Sequence, residues 1–188
     1  MSRKLLAAIV GALIAFVWTF ITWGLTPIHE GWIMRFKDEA AVKQVLQANA
    51  PESGIYGYPL AKPSPGMTAE QKKALMASAD QEAKEGPIVF AAVRVGGFPS
   101  FERALVFQFL GQFLAACLLL LLLSKTSGLS YIQKVMFLGL VGLASGVIVD
   151  LPNWNWWGFS TGYVFADILD SGVTWVLAGL AMVKISRV

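Results

Sequence analysis

The sequence predicts an all-α membrane protein: a bundle of four transmembrane helices with a small α+β extracytoplasmic cap between the first and second. Three observations lead there. Of 188 residues, 56% are hydrophobic and only 14% charged, with mean hydropathy +0.60, whereas soluble domains carry about 25% charged residues. The apolar residues gather into runs of roughly 20, the length needed to cross a hydrocarbon core about 30 Å thick. The one long polar stretch, residues 28–102, carries helix caps and turn signals rather than low-complexity sequence.

The first span occupies residues 5–27 and follows Arg3 and Lys4. It is too long for the apolar part of a signal peptide and ends in bulky Trp18, Phe20 and Trp23, so an uncleaved anchor is expected. In residues 28–102, Asp38 can cap a helix reaching Asn49, and Thr68 with Gln71 forms a capping box for a helix reaching Glu85. Residues 55–60 and 88–95 read as strands that can pair into a small sheet under those helices. The second, third and fourth spans are expected at about 103–123, 132–151 and 162–183, with a short tryptophan-rich loop over 152–161.

Charge sets the orientation. With the N-terminus inside, the inner segments hold Arg3, Lys4, Lys125, Lys134, Lys184 and Arg187 and no carboxylate. Basic residues in short loops stay on the cytoplasmic side, so both termini are expected in the cytoplasm and residues 28–102 in the periplasm. The lone Cys117 rules out an intrachain disulfide, a cysteine-based zinc site and a CxxC redox pair. With His29 the only histidine, a bis-histidine haem is excluded too. No GxGxxG, P-loop, GxSxG or triad spacing occurs, and no basic-aromatic surface suggests nucleic acid.

Fixed helix direction lets polar residues be compared by depth, at about 1.5 Å per residue. Gln108 and Gln112 on the second span, Asp167 and Asp170 on the fourth, and Thr19 and Thr22 on the first fall in one outer layer; Ser171 and Thr174 continue the stripe. A central aspartate costs roughly 2.5–3.5 kcal/mol on the translocon scale, so the pair needs partners, water or a proton. Arg103 and His29 are candidate partners. The leading reading is an interhelical hydrogen-bond network; a proton or ion site at Asp167 and Asp170, and catalysis, are the alternatives. His29, Glu30 and Asp150 are possible outer-face ligands, although no metal-binding spacing joins them. Trp154, Trp156 and Trp157, with Trp23 and Trp32, suggest an aromatic interface belt, a lipid, quinone or pigment pocket being the alternative. Gly139, Gly142 and Gly146 form a small-residue face for close helix packing.

The segments FVWTFITWGLTPIHEGWIMRFKDEAAV, SGIYGYP, GPIVFAAVR and above all LPNWNWWGFSTGY resemble a family of small uncharacterised bacterial inner-membrane proteins with four spans. The resemblance implies bacterial origin and this topology, and no activity. In that family an aromatic residue often precedes the histidine, where this chain has Ile28. The expected function is therefore a non-enzymatic accessory or structural subunit of a membrane complex. A small proton- or ion-coupled carrier or channel using Asp167 and Asp170 is the alternative. The expected partners are the lipid bilayer and either other membrane chains or further copies of this one; no cofactor is expected.

Overall fold

A serine stands at the N-cap of each of the four longest helices. In the computed structural model, which describes residues 2–187, Ser2, Ser100 and Ser130 each accept a hydrogen bond from the backbone three residues on. They start α1 (Arg3–Gly24), α5 (Phe101–Leu123) and α6 (Tyr131–Trp157), and Ser160 precedes α7 (Thr161–Ser186). Between α1 and α5 lie α2 (Pro27–Glu30), α3 (Glu39–Asn49), β1 (Gly54–Tyr58), α4 (Ala69–Glu85) and β2 (Val89–Val93). Four helices, α1, α5, α6 and α7, are long and apolar enough to cross a bilayer, the mark of a multi-pass membrane protein.

The chain divides into two units. One joins the residues up to Met34 with everything from Pro99 onward; the other is Arg35–Phe98. In the helical unit α7 packs against both α1 and α6, and α1 also packs on α5. Small residues allow the close approach. A Cβ added at Gly142 would meet the Ser171 carbonyl, and one at Gly146 would lie 2.9 Å from Cα of Ile168. Gly139 lies against Val176 in the same seam. The buried apolar core sits at the end where α1 and α6 begin, built from Ala7, Ala8, Leu123, Leu138, Ala178 and Met182 among others.

The tryptophan-rich segment departs from expectation. Instead of a loop over 152–161, α6 continues through Pro152 to Trp157, leaving only Gly158, Phe159 and Ser160 before α7. Proline removes one helical donor, which membrane helices tolerate where other groups satisfy the backbone. Next to it, the Asn153 amide donates to the Val149 carbonyl at 3.1 Å. The helix stops at Gly158, whose φ of 72° is left-handed and so suits glycine.

In the second unit, Asp38 caps α3 and the Thr68–Gln71 box caps α4. The strands pair antiparallel, Gly54 opposite Val93 and Tyr58 opposite Val89. They are shorter than the sequence suggested, and neither helix buries a residue. An open groove of about 1060 Å³ separates α3 from β2, so the sheet is not tightly covered.

Candidate functional site

The site forms at the end of the bundle where α1 and α6 finish and α7 begins. Trp18 and Thr22, four residues apart, share one face of α1. Past the end of α1, Thr26 is extended and its hydroxyl donates back to the Thr22 carbonyl at 3.0 Å. Pro27, with φ preset for a first helical position, then starts the single turn α2. That turn brings His29 back into the bundle, where it is fully buried. Trp32 follows, its ring against Gly162 and its carbonyl accepting from the Ser160 hydroxyl at 3.3 Å. That contact accounts for Ser160, which makes no side-chain cap bond.

From α7 come Asp167 and Asp170, one turn apart. Asp170 accepts three hydrogen bonds: Trp18 Nε1 to Oδ1 at 2.6 Å, and Thr22 Oγ1 and His29 Nε2 to Oδ2 at 3.0 and 3.1 Å. On the other side of the ring, His29 Nδ1 lies 3.7 Å from Asp167 Oδ1 and has no hydrogen-bond partner. The imidazole thus lies between two carboxyl groups. Trp23 stacks on its face, centroids 4.2 Å apart and planes within 8°, while Tyr163 stands edge-on to both rings. Asp150, buried near the end of α6, lies beside Asp167 across the seam between α6 and α7.

The result is a line running Asp150, Asp167, His29, Asp170, Trp18 across α6, α7, α2 and α1. Its three carboxyl groups outnumber its one imidazole. Asp170 is well supplied with donors and 10% exposed, whereas Asp167 is 27% exposed and reachable by water.

Other residues singled out in the sequence divide. Thr174 is buried one turn beyond Asp170. Gln112 donates to Thr19 Oγ1 at 2.9 Å, while its Oε1 is buried without a partner. Gln108 is exposed on α5, and Glu30 is exposed beside buried His29. His29, Glu30 and Asp150 therefore do not converge, and among the described residues no three His, Cys, Asp or Glu side chains are placed to hold a metal ion. Arg103 lies over the Phe107 ring at 5.7 Å, so its cation is engaged on its own helix. Trp154, Trp156 and Trp157 are exposed on α6, Trp154 donating to Thr161 Oγ1 at 3.1 Å.

Two participants were not singled out from the sequence, Trp18 and Tyr163. The signal for Trp18 was its i, i+4 spacing from Thr22 together with an indole N–H, which seeks an acceptor when buried. No known family, characterised protein or solved structure matches the chain.

Proposed function

We propose that this chain is a non-enzymatic protein of a bacterial inner membrane, an accessory subunit whose carboxylate–histidine centre takes up and releases protons. Both termini are assigned to the cytoplasm on the strength of the basic inner segments, and residues 28–102 to the periplasm. One observation carries the reading: a fully buried His29 lies between Asp167 and Asp170, with Nε2 bonded and Nδ1 unpartnered. Ionisable groups inside membrane bundles are costly and mark proton or ion handling. The opposite end of the bundle is packed with Ala, Leu, Val and Met. That packing favours a centre served from one side over a path across the membrane.

Gentle extraction followed by native mass spectrometry, with proton flux measured in liposomes, tests this. Stoichiometric co-purification with a larger complex and no flux is expected. A homo-oligomer with pH-driven flux that vanishes in Asp170→Asn would replace this reading with the carrier or channel. One observation favours that second reading: the unpartnered Oε1 of Gln112 extends the polar layer between α1 and α5.

A further inference from the structure

We infer that the cleft between α1 and α5, at the end of the bundle where α1 starts and α5 finishes, binds an anionic phospholipid. The Lys4 ammonium pairs with the headgroup phosphate, and one acyl chain lies along α5 from Ser124 to Cys117. This site is at the opposite end of the bundle from His29 and does not depend on the proton-binding reading.

The cleft has a volume of about 240 Å³. From α1 it is lined by Lys4, Leu5 and Ala8, and from α5 by Cys117, Leu120 and Leu121, with Ser124 at the C-cap completing it. Positions 117, 120, 121 and 124 share one face of a helix by their spacing. Lys4 in the first turn of α1 and Ser124 just past α5 put the polar groups at the mouth. Beyond them the lining is apolar for seven residues of α5, about 10 Å of helix. Ala8 and Cys117 are the small side chains that leave the space. Leu5 and Leu121 are 43% and 56% exposed, so the cleft opens sideways, where a chain can enter from a surrounding bilayer. One charged end and one apolar trough match an amphiphile, not a soluble anion.

Charge selects the headgroup. Among the described residues Lys4 makes no ion pair, and neither do its neighbour Arg3 and Lys125, which follows Ser124. No aspartate or glutamate occurs in residues 1–29, 103–149 or 171–188, so the helices supply no carboxylate at this end. The Ser124 hydroxyl already donates to the Leu121 carbonyl at 2.7 Å, which leaves Lys4 as the donor in the lining. Basic pockets between membrane helices bind anionic headgroups in this way, and a lysine stem can lie on apolar surface while its ammonium reaches the interface. A second cleft, about 400 Å³ and lined by Leu13, Val17 and Leu177 among others, has no charged residue. It can hold an acyl chain with no preference for the headgroup, and so provides an internal comparison.

The test uses the full chain in nanodiscs doped with phosphatidylglycerol or phosphatidylcholine, each bearing the same diazirine-labelled acyl chain. Cross-linked peptides are mapped by mass spectrometry. Phosphatidylglycerol is expected to label residues 117–124 several-fold more than phosphatidylcholine, while the two label the Leu13–Val17 segment equally. Lys4→Gln is expected to abolish the preference and Lys4→Arg to keep it. Lys184→Gln, which removes a charge outside the cleft, is expected to leave it unchanged. Equal labelling of residues 117–124 by the two lipids overturns the proposal. So does a preference lowered equally by Lys4→Gln and Lys184→Gln, which would mark diffuse attraction to a basic surface. Should a variant fail to fold, the wild-type comparison of the two clefts decides alone: the same preference at both overturns the proposal.

Discussion

Nε1 of Trp18 donates a 2.6 Å hydrogen bond to Oδ1 of Asp170, tying the first long helix to the last across 152 residues of sequence. An indole N–H has one proton to give and nothing to accept. Replacing Trp18 by Phe keeps most of the ring and removes that donor. The carboxylate oxygen is then left in the bundle without a donor, at a cost of about 1–3 kcal/mol. Thermal unfolding in a fixed lipid nanodisc should show a lower midpoint for Trp18→Phe. An unchanged midpoint would mean the bond contributes nothing.

His29 and Asp170 should be energetically coupled. Each single change, His29→Gln or Asp170→Asn, leaves the other partner buried with an incomplete set of contacts. The double variant removes both halves together, so its destabilisation should be smaller than the sum of the singles. For directly contacting groups the difference is about 0.5–3 kcal/mol. Additive effects in a denaturation series would show that the 3.1 Å contact is not used in the folded protein.

The α6–α7 seam predicts a contrast among glycines. Gly146→Leu forces a side chain against the Ile168 backbone, where even Cβ would lie 2.9 Å from Cα. Overpacking of this kind costs about 1–3 kcal/mol and can exceed that. On α5, a Cβ at Gly111 meets nothing within 4 Å. Gly111→Ala should therefore be neutral or stabilise by roughly 0.5–1 kcal/mol, through backbone entropy alone. Loss of stability at both positions would contradict the packing described for one of them.

Much of the site was legible because helix rise is constant. Counting residues from the outer ends grouped Asp167, Asp170, Thr19, Thr22 and Gln112 before any contact was visible, and Thr22 and Asp170 do touch. The counting failed where the helix did. His29 lies past the end of α1, where rise no longer defines depth, and the turn led by Pro27 brings it into the bundle. Trp18 was hidden by its own hydrophobicity. Gln108 was grouped with Gln112, yet the residues α5 buries, from Ala116 to Leu123, all lie toward the opposite end of that helix, which leaves Gln108 exposed. Pro152 looked like the end of a helix, but α6 runs one turn beyond it. In the polar region, short-range caps and turns predicted the elements well. The open groove beside α3 was not predictable from them, because it depends on packing between elements.

The bond between α1 and α7 also bears on how the chain is made. A ribosome releases α1, α2 and α6 before α7, so the donors Trp18, Thr22 and His29 precede their acceptor in synthesis. The last helix carries two aspartates into lipid, and a central aspartate on an isolated helix costs roughly 2.5–3.5 kcal/mol of insertion free energy. An isolated α7 should insert poorly in a glycosylation-mapping assay, and Asp170→Asn should restore it. Supplying residues 1–34 in the same membrane should rescue the unaltered helix. By this account the N-terminal segment is the docking template on which the final helix completes its insertion.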